Sequence, residues 1–237
     1  MQKSNDACRG RNVRRSAVRV AGLCLFAALP LGAGPANAQQ DGPASCEVSK
    51  RFPGASLAGW NEREFEGSTE YRLVGEVPEV SLSARADGSA SVLYRDREVR
   101  IADTPLLRWS WSVDAVYDGI AETTRDGDDF PARLYVVVKT GVLPWQTLAL
   151  NYVWASAVPV GESWESPYTD KARMIAVRSG SGDAGAWVCQ TRDVVADFRT
   201  HFGVDVDEID GYAVMVDGDN GARQGQALFG AIDFLPR

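Results

Sequence analysis

The chain of 237 residues has a single histidine, His201, only three methionines and only four cysteines. One imidazole excludes histidine-rich metal centres, and any Ser-His-Asp or Cys-His mechanism would depend on that one residue. No apolar run approaches the about 20 residues that span a bilayer; the longest lies from Val20 to about Ala33. Basic residues are also in deficit, 25 against 32 acidic ones. Six of those basic residues (Lys3, Arg9, Arg11, Arg14, Arg15, Arg19) but only one acid, Asp6, fall within residues 1–38, so the remainder carries a charge of −12. A surface that acidic repels a phosphate backbone, which argues against nucleic-acid binding. With 45% hydrophobic and 24% charged residues, the composition is that of a globular protein, not of a disordered, collagen-like or coiled-coil chain.

What is present at the start reads as an export signal. Arg11, Arg14, Arg15 and Arg19 precede the apolar run, and Ala36-Asn37-Ala38 supplies small residues at positions −3 and −1 of a cleavage site. Residues 1–38 are therefore expected to be a cleavable signal peptide, with the mature protein beginning at Gln39 and residing in the periplasm or outside the cell. No membrane span is expected after its removal. Arg14-Arg15 leaves the twin-arginine and general export routes both open, and Leu23 before Cys24 argues against a lipid anchor. Two cysteines, Cys46 and Cys189, remain in a compartment that permits disulfides. They form either one bond or a buried thiol at Cys189 and an exposed one at Cys46.

The 199 residues that follow suit one domain. Residues 39–54 are expected to be a leader, of which Gln39 to about Ser45 has the composition of a flexible segment, and residues 55–237 form the domain. The dominant period is two. Leu107, Trp109, Trp111 and Val113 alternate with polar residues; Leu148, Leu150, Tyr152 and Trp154 share one face; Tyr212, Val214 and Val216, and Leu228, Gly230, Ile232 and Phe234, repeat the pattern. Residues 134–138 are apolar on both faces, as in a central strand. Weaker strand signals lie at 70–74, 80–86, 89–95, 98–101, 173–178 and 186–190, separated by turn residues such as Asp87-Gly88 and Ser179 to Gly182. One helix is expected near 193–202, capped by Asp193, striped by Val194, Val195, Phe198, His201 and Phe202, and ended by Gly203. His201 therefore has a packing or capping role. Many short strands and one helix predict an all-β, antiparallel jelly-roll-like sandwich.

Candidate chemistry gathers in two acidic loops. Asp126, Asp128 and Asp129 precede the central strand, and Asp217, Asp219 and Asn220 follow another. Dense oxygen donors suit Ca²⁺, which takes about six to eight oxygens, although neither loop follows the twelve-residue EF-hand pattern. Ordinary turn formation uses the same residues. Asp217, Asp219 and Asn220 are the candidate ligands of a structural Ca²⁺. Paired carboxylates about 5–10 Å apart would alternatively serve a glycan hydrolase or lyase. Arg133 follows the first loop and suits bidentate carboxylate pairing or an anionic ligand group. Among seven tryptophans, Trp145 and Trp164 sit among turn residues, where an indole can stack on a sugar; Trp109, Trp111 and Trp154 read as core. The expected binding set is Asp128, Asp129, Arg133, Trp145, Asn151 and Trp164. Gly180-Ser181-Gly182 lacks the lysine and helix of a phosphate loop.

Several strings in this order resemble one family: Trp109-Ser-Trp111, Asp128-Asp129-Phe130-Pro131-Ala132-Arg133, Leu150 to Ser156 (LNYVWAS) and Ser166-Pro167-Tyr168-Thr169. Arg192-Asp193-Val194 with Phe198 and Gly203, Met215 with Asp217, Asp219 and Asn220, and Gly230 with Ile232 and Phe234 extend the likeness from about residue 55 to the C terminus. They resemble the bacterial proteins catalogued as domain of unknown function 3047. Gly221 and Asp193 depart from its pattern, standing where Thr and Asn are frequent. The resemblance implies an exported protein with a sandwich similar to galactose-binding-like domains, and implies no activity, cofactor or catalytic residue. The function expected from the residues is binding of a carbohydrate or other cell-envelope component. A glycan hydrolase or lyase, and a periplasmic assembly factor that recognises a protein, are the alternatives.

Overall fold

A computed structural model describes residues 46–141 and 146–237. The expected signal peptide, the first part of the leader and Trp145 lie outside the described residues. In chain order the strands are β1 (Asn61–Glu66), β2 (Glu70–Val74), β3 (Ser81–Asp87), β4 (Ala90–Val99), β5 (Leu106–Val113), β6 (Arg133–Lys139), β7 (Thr147–Ala155), β8 (Ser163–Ser166), β9 (Thr169–Ser179), β10 (Val188–Asp193), β11 (Ile209–Asp217) and β12 (Gln224–Leu235). Helix α1 (Val194–Phe202) connects β10 to β11. Seven strands form one sheet in the order β1-β4-β11-β6-β7-β9-β8, and five form the other in the order β10-β5-β12-β3-β2. The protein is thus a jelly-roll-like β-sandwich with one short helix.

Strand alternation decides which residues meet between the sheets. Leu134, Val136, Leu150, Tyr152, Trp154, Val214 and Val216 of the larger sheet are buried against Leu82, Leu107, Trp109, Trp111 and Phe229 of the smaller one. Trp109 lies 5.3 Å from Tyr152 and Trp111 lies 5.9 Å from Trp154, ring centroid to centroid. Such pairs add about 0.5–1.5 kcal/mol each beyond the area they bury. The helix carries the expected caps: Asp193 Oδ1 accepts from the Ala196 N–H at 3.0 Å, and Gly203 takes φ 68°. Phe198 and Val194 are its core anchors, and Tyr152 donates to Asp197 at 2.7 Å.

Three features differ from expectation. The separate strands at 89–95 and 98–101 are largely one, β4, with Ile101 buried in the turn beyond it. β7 and β9 pair in parallel, because β8 occupies the sheet edge and β9 returns between β8 and β7. Residues 46–54, expected within the leader, are packed on the sandwich. Cys46 is bonded to Cys189, with Cα atoms 5.6 Å apart, and Phe52 is fully buried. Ser49 donates its N–H to Ser110 Oγ and accepts from the Ala231 N–H, both at 2.9 Å. Gly230 permits that approach, since a Cβ there would lie 2.1 Å from the Ser49 carbonyl.

Candidate functional site

The alternation that fills the core leaves the opposite face of the seven-stranded sheet available. Its residues include Val92 and Tyr94 of β4, Gly211, Ala213 and Met215 of β11, Tyr135 and Val137 of β6, Ala149 and Asn151 of β7, and Ala172 of β9. Small side chains along the middle keep the floor low. Residues of the edge strand β1 and of the β8–β9 turn line the same cavities, so the sheet curls into a trough between them. Two adjoining cavities, about 610 and about 440 Å³, share Phe65, Tyr135 and Ala172. Along β11 the trough runs from Asp210 to Asp217, about 23 Å at the usual rise per residue.

At the smaller cavity the two acidic loops meet around Arg133, which is only 4% exposed. Its Nε donates to Asp217 Oδ1 at 2.8 Å, Nη1 to Asp128 Oδ2 at 3.3 Å, and Nη2 to Asp217 Oδ2 and to the Asp128 carbonyl. The guanidinium lies 4.5 Å above the Phe130 ring. Asp217 also accepts from the Phe130 N–H at 3.2 Å, and the Tyr117 hydroxyl donates to its carbonyl at 2.8 Å. Asp128 keeps one oxygen, Oδ1, buried without a partner.

Asp129 is engaged differently. Oδ1 accepts from the N–H and the amide of Asn220 at 3.0 and 3.2 Å, and Oδ2 accepts from the Gly221 N–H at 2.7 Å. The two loops are therefore tied together directly, and Asn220 is oriented so that its Oδ1 accepts from the Tyr168 hydroxyl at 2.9 Å. Tyr168 is 49% exposed and Phe65 is 56% exposed; both line the smaller cavity, one from the β8–β9 turn and the other from β1. Arg125 covers the Tyr168 ring at 4.7 Å and Arg63 the Phe65 ring at 5.3 Å.

Burial pushes the Asp217 carboxyl up to about 7 against the pull of Arg133, and raises Asp128 and Asp219 for the same reason. Burial opposes the charge on Arg133, but Asp217 above all holds the guanidinium protonated. Four carboxylates and one guanidinium leave the cluster acidic. Oxygens of Asp129, Asp217 and Asp219 lie within 4.8 Å of one another. Both oxygens of Asp129 and both of Asp217 already accept hydrogen bonds, so Asp219 is the member with most donor capacity to spare.

The remaining expected residues are placed as follows. Asn151, 3% exposed, sits on the trough floor beside Tyr135, its amide nitrogen 3.2 Å from Met174 Sδ and its Oδ1 without a partner. Burial pushes Tyr135 up to about 12. Trp164 belongs to strand β8 and not to a turn: it is half-buried, 6.2 Å from the Phe130 ring, with its Nε1 buried and unpaired. It packs with Phe130, Val153, Ala155, Met174 and Ala176, which closes that part of the sheet face. Phe65, Tyr168 and Tyr135 were not singled out by sequence. Tyr168 enters there only as a member of the Ser166-Pro167-Tyr168-Thr169 string, with no binding role attached. Glu122 is a further buried acid outside the trough, whose carboxylate accepts from the N–H groups of Ser156, Ala157 and Val158 and so fixes the loop after β7.

Fold and site together define a β-sandwich with an open trough on one sheet, aromatic on both walls and acidic at one end. The chain belongs to the family described as "Protein of unknown function (DUF3047)", which matches residues 58–233. No curated protein matches it. Among solved structures it is similar to the enzymatically active domain of bacteriophage CBA120 tailspike protein 4, at 8% identity and a TM-score of 0.36, over 77% of this chain but 20% of that one. It is similar to the xyloglucanase domain of NopAA, a type three effector from Sinorhizobium fredii, in complex with cellobiose (12% identity, TM-score 0.38, 77% of this chain and 100% of that chain). A CBM4 structure gives 10% identity and a TM-score of 0.34 over 76% and 96% of the two chains.

Proposed function

We propose that the protein is an exported carbohydrate-binding protein that holds a glycan chain in the trough of its seven-stranded sheet. The observation that carries this reading is the pair of exposed rings, Phe65 and Tyr168, on opposite walls of one cavity that Asp219 and Asn220 also line. Flat apolar rings beside carboxylates and amides match a sugar, which offers C–H faces to stack and hydroxyls to pair. The trough is open and elongated, as a polymer requires. Asp219 and Asn220, half-buried and lining the same cavity, supply the polar groups for ligand hydroxyls.

The proposal places a Ca²⁺, if the site takes one, on the Asp219 side of the cluster, because Arg133 already neutralises the other side. Export and a periplasmic or extracellular location belong to the same proposal, supported by the signal pattern and by the Cys46–Cys189 disulfide. Among the described residues no helix is long and apolar enough to cross a membrane.

A second reading, hydrolysis or elimination on the bound glycan, is favoured by one observation: Asp219, which lines the end of the trough with oxygens to spare, stands beside Asp129 and Asp217, and burial raises its carboxyl. Pull-down on insoluble polysaccharides and peptidoglycan, with analysis of the supernatant for released fragments, separates the two. Ala172→Trp, which places an indole where the cavities adjoin, is expected to abolish retention while leaving the thermal transition unchanged. Retention unaffected by Ala172→Trp places the ligand elsewhere. Fragments in the supernatant make the protein an enzyme.

A further inference from the structure

The larger cavity differs in charge from the smaller one. Arg63, Arg95, Lys139 and Lys171 line it, against two acids, Asp96 and Asp210. Lys139 is committed to Asp210, with Nζ 3.4 Å from Oδ1, and Lys171 approaches the exposed Asp170 at 3.7 Å. Arg63 and Arg95 make no ion pair among the described residues; each instead lies near a ring, Arg63 over Phe65 at 5.3 Å and Arg95 over Trp60 at 6.0 Å. A cationic surplus in this position is unexpected in a domain whose charge is −12 once residues 1–38 are removed. With Lys139 and Lys171 each beside a carboxylate, Arg63 is the exposed cation of this end left without one.

We infer that the basic half of the trough binds the anionic groups of an acidic glycan, so that the ligand is a sugar polymer bearing carboxylates or sulfates and not a neutral one. The inference rests on the glycan reading above and names the class of glycan. Arg63 on the β1 wall and Lys171 on the β9 wall would clamp an anion from two sides. Arginine stacked on a ring keeps its edge donors free for a carboxylate, and charge-assisted bonds of this kind are roughly twice as strong as neutral ones. Val137, Ala149 and Ala172 form an apolar part of the sheet floor in this cavity. In the acidic half, where the half-buried Asp219 lines the cavity, the ligand must present hydroxyls and not anions. The trough is thus graded, acidic sugar at the Lys171 end and uncharged ring at the Tyr168 end.

The test uses purified protein with three soluble probes of matched length: oligogalacturonate, sulfated dextran and cello-oligosaccharide. Binding is measured by calorimetry at low and at about 0.3 M salt, which shortens the screening length severalfold. The expected result is preference for one or both anionic probes by at least about tenfold at low salt, lost progressively as salt rises. The double variant Arg63→Gln/Lys171→Gln changes two exposed side chains, and is expected to weaken the anionic probes about tenfold or more while leaving the neutral probe unchanged. Comparison of galacturonate with sulfated dextran tells which anion the site prefers. If cello-oligosaccharide binds as tightly as the anionic probes, the inference fails while the glycan reading stands. If no probe binds, both fail. If an anionic probe binds but the double variant holds it unchanged, the basic half is not the site and the inference is overturned.

Discussion

Removing the Arg133 guanidinium tests the site's electrostatics most directly. In Arg133→Met, packing against Phe130 is largely kept, but Asp128 and Asp217 lose the only cation that contacts them in the ion pairs described here. Arg133 and both carboxylates are less than about a tenth exposed, so water cannot take over. Breaking a buried pair by deleting one partner costs about 3–5 kcal/mol, a large part of the 5–15 kcal/mol that holds a typical domain together. The variant can recover some of this by protonating its stranded acids. Carboxyls raised above their unfolded values stabilise the fold while protonated, at pH below the unfolded value near 4, and lose that contribution as pH rises through the folded value. Asp217 already has its folded value pushed up to about 7 in the presence of Arg133, so even the wild type is expected to lose stability between about pH 4 and pH 7 from this group. Without the arginine both carboxyls move higher. The difference between variant and wild type should therefore be small at pH 4.5 and reach about 3–5 kcal/mol at pH 7.5 by urea unfolding. Adding Asp217→Leu to Arg133→Met should return part of the loss. A deficit below about 1 kcal/mol at pH 7.5, or one that does not change with pH, would refute the account of a buried, arginine-dependent cluster.

The other predictions concern the parts that hold the trough in place. The disulfide closes a loop spanning 143 positions, so Cys46→Ala/Cys189→Ala, or reduction, should cost about 2–5 kcal/mol and lower the calorimetric Tm; an unchanged Tm would mean that the packing of Phe52 alone secures residues 46–54. Gly230→Ala should drive the Ser49 carbonyl off β12 and cost about 1–3 kcal/mol in urea unfolding. Asp193→Ala should cost about 1 kcal/mol through loss of the α1 cap. Burial works against the Asp193 carboxylate, but the Ala196 N–H and Arg237 hold its value below the ordinary one, so its contribution is present above about pH 4 and fades as pH falls, the reverse of Asp217. Metal-free protein given 1 mM Ca²⁺ should gain about 1 kcal/mol if Asp219 completes a site of ordinary extracellular affinity; an identical Tm in chelator and in calcium removes the ion from the proposal.

Much of the sandwich is legible because its strands are buried on one face and alternate accordingly. Leu107 to Val113 and Leu148 to Trp154 show which side faces the core, and Asp193 and Gly203 bracket the helix by caps that only such a helix requires. Strand β1 is illegible for the same reason inverted. Every residue of Asn61–Glu66 is exposed, so nothing imposes a period on the string, and its one exposed ring, Phe65, carries no mark of its position. The Trp164 indole reads as a turn residue because Glu162 to Glu165 is polar, yet β8 is an edge strand whose indole is claimed by the Phe130 loop. The meeting of the two acidic loops is a long-range fact: Asp129 and Asn220 are bonded across a sequence separation of 91. Local pattern can show that both loops are rich in acids, but the antiparallel register of β6 with β11 is what pairs Arg133 with Met215 and so puts Asp217 within reach of the guanidinium.

That register also explains why residues buried too deeply to touch much ligand lie at the centre of the site. Asp129 has both oxygens committed, and its contribution is to hold Asn220, which in turn holds the hydroxyl of Tyr168. Arg133 and Asp217 fasten the ends of β6 and β11 at the point where the Phe130 loop folds over the sheet. The consequence is a face divided in two: Phe130 and Trp164 seal one part with apolar packing, and the open part keeps Phe65 on one wall and, on the other, Tyr168, whose hydroxyl is held by Asn220. A wall ring held in this way loses little side-chain entropy when a ligand stacks on it. On the proposed reading the acidic cluster is first a scaffold, since its buried oxygens hold the loop that carries Asn220 and, through it, Tyr168.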